Sequence, residues 1–409
     1  MKNMVYSKEE LRDAGLYLAE LICASLNGKK AKEKPEHVPW IHVWKLVEKS
    51  STEGLSIYGV DTLKNLPPRE IYMLWKKRTQ YVIFRNCRMD EERRKILNLM
   101  KQEGLSYFLL KGIHLQEYYP QPGMRPMGDN DILYGFVEPA AEGGYQIQGI
   151  DKEHTMDEAA KIVSRIMKTR QYQLVSDVDV HKVFFKEPFC TFEMHRRLVN
   201  KDSELSAYYE NPWRFAVVNE RDGNEYYFRK EDEFIYTIAH GYKHFCFAGY
   251  GIRLLADVYV LLAKNENSMD ADYIAGEFEK LGLSEFAKLV VSSSKKIFCP
   301  ENTILEQEEE ELFCQLLEAG VFGDFETLLK KRYKKYSEER AKENKHKKIG
   351  YLWSRLFPEK DWWEMYYPIC RGKMWMIPLC WFYRISVRLF KKRKKVGKEL
   401  KYIIRNIRS

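Results

Sequence analysis

Apolar side chains recur every three or four positions through the first hundred residues, the spacing of helices that bury one face. The clearest predicted helix opens at Pro68, a favoured first helical position, and runs to Gly104, a favoured stop. Ile71, Leu74 and Trp75 mark its apolar face. That span is long for one helix, so a break is expected near "RMDEERR". At Ser106 the period changes. "SYFLLK" reads as a strand, "GIHLQEYYP" as a short helix ended by Pro120, "QPGMRPMG" as a loop and "DNDILYG" as a second strand.

Beyond Gly143 and Gly144, Thr155 and Glu158 give a capping-box signature for a helix with Ala159, Ile162, Val163, Ile166 and Met167 on one face. Two further predicted strands, Val178 to Lys186 and Phe189 to Leu198, form a hairpin that turns at Glu187-Pro188. From Glu231 the pattern is helical again, through "EDEFIYTIAHGYKHFCF" and "GIRLLADVYVLLAK". The last stretch is aromatic and then basic. The expected organisation is an N-terminal helical region (1–104), an α/β domain with a small mixed sheet (105–228), a helical domain (229–345) and an aromatic and basic helical tail (346–409). The fold class is α+β.

Composition narrows the function classes. At 45% hydrophobic and 31% charged residues, the 409-residue chain is a folded globular protein rather than a disordered one. A net charge of +9 is compatible with phosphate-bearing partners without establishing them. The eight cysteines form no C-x-x-C pair, so they read as reduced thiols and not as a zinc knuckle. Glu20 interrupts the first apolar stretch, and the run from Met374 to Tyr383 contains Pro378 and falls short of the roughly 20 residues of a bilayer span. A cytoplasmic location is expected, with no transmembrane segment.

The candidate chemistry begins at Asp129 and Asp131. Placed at i and i+2 of a strand they share a face, where like charges repel unless a cation sits between them. Glu193 stands on a strand that is apolar on both faces, where a lone carboxylate is expensive without a cation. Asp177 and Asp179 alternate similarly, but no glycine turn precedes them, so they read as an exposed hairpin face. His240 and His244 share a helical face, yet Gly241 stands where a zinc protease would carry its glutamate. With Arg253 and Asp257 these histidines are expected to line the interface with the sheet domain or touch substrate. Trp362, Trp363, Tyr366 and Tyr367 read as packing, and Lys391 to Lys395 as a solvated tail with nucleic-acid contact as the minority reading.

The order strand, glycine, short helix, loop, Asp-x-Asp strand and later acidic strand resembles the nucleotidyltransferase fold of the DNA polymerase β type. More closely, it looks like the bacterial family of uncharacterised nucleotidyltransferases. The resemblance rests on Leu110-Lys111-Gly112, Tyr119-Pro120, Arg125, Asp129-Asn130-Asp131-Ile132, Glu193-Met194-His195, and His240 with His244. It covers about Leu97 to the end, including "LFPEKDWWEMYYP" and "WMIPLCWFYR".

It implies transfer of a nucleotidyl group from a nucleoside triphosphate to an acceptor hydroxyl, the acceptor being a small molecule, a protein or an RNA end. Mg²⁺ or Mn²⁺ would be held by Asp129, Asp131 and Glu193, which are also the catalytic residues. Lys111, Gly112 and Arg125 would meet the nucleotide phosphates, with His195, His240 and His244 in outer or substrate-facing positions. Ile113 departs from the wider superfamily, which carries serine or glycine after the turn glycine. That departure keeps open a catalytically weak nucleotide- or protein-binding component of a biosynthetic cluster.

Overall fold

The N-terminal helices are built around their caps and their apolar faces. Helix α1 (Lys8–Asn27) starts at a capping box in which Ser7 and Glu10 satisfy each other's backbone N–H groups. It packs against α2 (Trp40–Ser50) and α3 (Glu53–Val60). Then comes α4 (Arg69–Gln102), which at 34 residues runs unbroken through "RMDEERR". The expected break is absent for two reasons. Arg88–Glu91 and Lys95–Glu91 pair one turn apart on the solvent side, and Met89, Ile96 and Met100 continue the buried face. The computed structural model describes residues 6–201, 203–247, 250–298, 304–320, 357–358, 363 and 373–391.

A seven-stranded mixed sheet follows, from β1 (Ser106–Leu109), β2 (Asn130–Gly135), β5 (Gln173–Asp177), β6 (His181–Lys186), β7 (Cys190–His195), β8 (Ala216–Asn219) and β9 (Asp222–Phe228). Their order is β5-β6-β7-β2-β1-β9-β8. Between β1 and β2 lies the short α5 (Gly112–Leu115). A separate hairpin of β3 (Val137–Pro139) and β4 (Tyr145–Ile147) precedes α6 (Lys152–Thr169). On one face of the sheet Ile132, Phe184, Phe192 and Met194 pack with Met89, Ile96 and Met100 of α4 and Ala160, Val163 and Met167 of α6. Alternation therefore turns Asp131, Glu193 and His195 to the other face.

Several boundaries differ from the sequence expectation. Helix α6 begins before Thr155, because the Asp151 side chain accepts from the His154 N–H at 3.0 Å and caps the helix. The strand expected from Val178 starts only at His181, because the chain turns through residues 178–180 after a further strand, β5, that the sequence expectation did not include. The partner strand is shorter than expected, Cys190–His195, and the turn between them lies at Glu187-Pro188 as anticipated.

Helices α7 (Lys230–Phe247) up to His244, α8 (Arg253–Asn265), α9 (Ala271–Lys280), α10 (Ser284–Phe298) and α11 (Gln307–Ala319) complete the first of two compact units, residues 1–244 with 250–321. In the second, residues 245–249 with 322–409, Trp363 is buried and donates from Nε1 to the Pro358 carbonyl at 3.1 Å. Helix α12 (Ile377–Lys391) belongs to this unit. Trp362, Tyr366, Tyr367 and residues 392–395 of the basic run lie outside the described residues. Among the described residues no helix is long and apolar enough to cross a membrane.

Candidate active site

The site grows from the register of two parallel strands. Strand β7 lies inside the sheet between β6 and β2, and Asp131 stands directly opposite Glu193. Leu133 opposes His195 in the same register. Asp129, expected on the strand, sits one residue ahead of it, yet close enough to Asp131 that the two carboxylates repel. That repulsion, helped by burial, pushes the Asp129 carboxyl up to about 7.

Asp131 is buried and accepts from two cationic groups through one oxygen. Lys111 Nζ lies 2.6 Å from Oδ1, and His195 Nε2 lies 2.8 Å from it. Burial opposes ionisation of Asp131, but Lys111 and then His195 hold its pKa well below the usual carboxylate range. For Lys111 burial again works against the charge, and Asp131 outweighs it, so the ammonium stays protonated. Glu193 is held below its ordinary value because the hydrogen bond from His195, 3.6 Å away, overcomes burial.

The turn before α5 is strained. Lys111 adopts φ +52° and ψ −122°, which a non-glycine residue holds only when its surroundings demand it. Gly112 follows because there is no room for a side chain: a Cβ there would lie 2.2 Å from Arg125 Nη1 and 3.1 Å from Met127 Sδ. Arg125 in turn is anchored from α8. Its Nε and Nη2 donate to Asp257 at 2.7 and 3.0 Å, and the Tyr119 hydroxyl adds a third bond to that carboxylate at 2.7 Å. Two of its donors are thus committed to Asp257, and Nη1 lies over Gly112.

His240 and His244 do come together, with their Nε2 atoms 3.1 Å apart. Burial and then Lys111 hold both neutral, His244 falling to about 4. Asp131 also acts on both rings, so they lie within the field of the carboxylate site. Asp179 does not join it: it is exposed, with Arg197 4.0 Å away.

Three arrangements went unread in the sequence. His181 lies opposite His195 across the β6–β7 hairpin, and its nitrogen approaches Glu193 Oε2 to 4.0 Å. Asp257 serves as the anchor of Arg125. Helix α4 ties down the loop before β2: Arg85 donates to the Gly128 carbonyl at 2.7 Å, and Arg93 to Asn130 Oδ1 at 3.0 Å. Asn86 donates to the Arg125 carbonyl and accepts from Met127 N–H at 2.9 and 3.0 Å.

The site thus combines acidic residues on two neighbouring strands of a mixed sheet, a strained Lys-Gly turn and a flanking helical layer. The chain belongs to the uncharacterised nucleotidyltransferase family, whose model matches residues 36–298. The match begins ahead of α2, well before Leu97, and ends with α10, so the tail segments expected to share the resemblance lie outside it. No curated protein and no solved structure matches the chain.

Proposed function

We propose that the protein moves an NMP group from a nucleoside triphosphate onto an acceptor hydroxyl in the presence of Mg²⁺ or Mn²⁺. One observation carries this reading: buried Asp131 stands in register with Glu193, and Asp129 is added so closely that its carboxyl is forced upward. Three carboxylates gathered on one side of a sheet fit hard divalent ions, and Asp129, Asp131 and Glu193 would hold them. Such ions would stabilise the entering and leaving oxygens of the phosphoryl transfer.

The remaining roles fall to the chain's own groups. Lys111 supplies a point charge to the phosphates. Arg125, oriented by Asp257, presents Nη1 over the Gly112 backbone as a hydrogen-bond donor to the same anion. The neutral His240–His244 pair offers a lone pair and a donor to the acceptor side. The acceptor is a small molecule, a protein side chain or an RNA end.

The second reading, a binding component with little turnover, has one observation in its favour. The Lys111 ammonium already satisfies Asp131 without any ion. Calorimetry separates the two. Mg²⁺ should bind more tightly with a triphosphate nucleotide than alone, and Asp129→Asn with Asp131→Asn should remove that gain. Equal affinities in the wild type and the double variant would defeat the proposed site.

A further inference from the structure

The hairpin of β6 and β7 brings two imidazoles and a carboxylate onto the site face. Val183 opposes Glu193 and His181 opposes His195, and alternation sets Glu193 and His195 on one side of β7. The side chains converge. His195 Nε2 lies 3.6 Å from Glu193 Oε2, His181 Nε2 lies 4.0 Å from it, and one ligand atom from each of the three falls within 4.8 Å of the others. In a tetrahedral site with ligands at about 2.0–2.2 Å, neighbouring donor atoms stand roughly 3.4 Å apart. Small side-chain rotations therefore close this set around an ion.

The hydrogen bonds of His195 give the second sign. This ring is 3% exposed, and its Nδ1 faces the Arg197 carbonyl at 3.3 Å. A carbonyl only accepts, so Nδ1 carries a proton. Nε2 is turned inward, 2.8 Å from Asp131 Oδ1 and 3.6 Å from Glu193 Oε2, where it donates a proton that a bound cation would replace. A proton held outward on a backbone carbonyl with the other nitrogen turned to carboxylates is the posture of a ligating histidine. His181 is uncommitted: its Nδ1 is buried without a partner, and its other nitrogen only approaches Glu193.

We propose that His181, Glu193 and His195 form a site for a divalent first-row transition ion, one that accepts imidazole nitrogen, beside the oxygen ligands Asp129 and Asp131. Carboxylate oxygens alone suit Mg²⁺, whereas two imidazoles with one carboxylate suit Zn²⁺ and its neighbours. Zn²⁺ should bind most tightly, Mn²⁺ less so and Mg²⁺ least, following the usual order for mixed nitrogen and oxygen sites. The proposal shares Glu193 with the nucleotidyl-transfer reading and rests on it for that residue alone.

The test is calorimetric titration of the metal-stripped full chain with Zn²⁺, Mn²⁺ and Mg²⁺, without nucleotide. Wild type, His181→Gln and Asp129→Asn are compared, with Co²⁺ absorption as a second readout of imidazole ligation. His181→Gln should remove one tight Zn²⁺ equivalent or weaken it at least about tenfold, and should quench the tetrahedral Co²⁺ bands. Because the His181 side chain is a quarter exposed, its melting temperature should hold, and this confirms that the loss is local. Unchanged Zn²⁺ stoichiometry and affinity in His181→Gln, or Mg²⁺ binding as tightly as Zn²⁺, overturns the proposal. If His181→Gln leaves Zn²⁺ unaffected while Asp129→Asn abolishes Mg²⁺–nucleotide binding, only the imidazole site fails. The converse result removes the nucleotidyl-transfer reading and leaves the ion site standing.

Discussion

Gly112 shows how one residue joins the two halves of the site. Arg125 Nη1 and Met127 Sδ occupy the space a side chain would need, and Asp257 keeps the guanidinium from moving away. Gly112→Ala should therefore push Arg125 off its anchor. The expected outcome is a loss of stability of about 1–3 kcal/mol, as for overpacking elsewhere, together with weaker nucleotide binding. Urea unfolding and nucleotide calorimetry on the same variant check both, and a variant matching the wild type in each would show that Arg125 is freer than described. The Lys-Gly turn and the strand positions of Asp131 and Glu193 were legible in the sequence because their signals are local, although β7 is apolar on one face only, with Thr191, Glu193 and His195 on the other. Asp257 was not legible as the partner of Arg125, since the pair is 132 residues apart and only the fold brings them together. His181 was within reach of sequence reasoning. A hairpin turning about Pro188 pairs residues equidistant from it, and His181 and His195 are such a pair. Reading the stretch from Val178 as one strand hid this, because it grouped His181 with the exposed aspartates.

At the level of elements, α4 acts as a splint for the loop that carries Asp129. Asn86 holds that loop by two hydrogen bonds, to the Arg125 carbonyl and from the Met127 N–H, at a buried position. Asn86→Ala strands both backbone groups and should cost about 1–3 kcal/mol each way they are left unpaired. It should also weaken Mg²⁺–nucleotide binding, although residue 86 touches neither. Retained affinity at lowered stability would mean that the loop holds its shape without α4. Helix α5 is tied to α7 in a pH-dependent way. His114 Nδ1 lies 2.6 Å from Glu233 Oε1, and the Tyr118 hydroxyl donates to the other oxygen at 2.8 Å. Burial opposes the charge on His114, but Glu233 outweighs it and raises the pKa. A histidine raised in the folded state contributes stability in full below its unfolded pKa, about 6.5, and loses that contribution as pH rises through the folded value. Melting temperature should thus fall more steeply above pH 6.5 in the wild type than in His114→Gln, and parallel curves would contradict the pair. The helical span from Pro68 to Gly104 (though not its continuity), the β1–α5–β2 order and the hairpin turn could be read from the sequence pattern. The β3–β4 hairpin could not, being three residues a side, nor could β8 and β9, whose faces are only partly buried.

Across the molecule, three regions contribute to the site, α4 from the opposite face of the sheet. The N-terminal helices brace the loop, the sheet supplies the carboxylates, and α7 and α8 bring the histidine pair and Asp257. The family match, residues 36–298, spans all three. The central claim is that Glu193, inside the sheet, is the third carboxylate of a nucleotidyl-transfer site, and that exposed Asp179 is not. The direct measurement is pyrophosphate release from each α-labelled nucleoside triphosphate, with an acceptor pool from cell lysate, by wild type, Glu193→Gln and Asp179→Asn. The account predicts release and label transfer in the wild type, loss of both in Glu193→Gln with an unchanged melting temperature, and near wild-type activity in Asp179→Asn. Full activity in Glu193→Gln, or loss confined to Asp179→Asn, would contradict it.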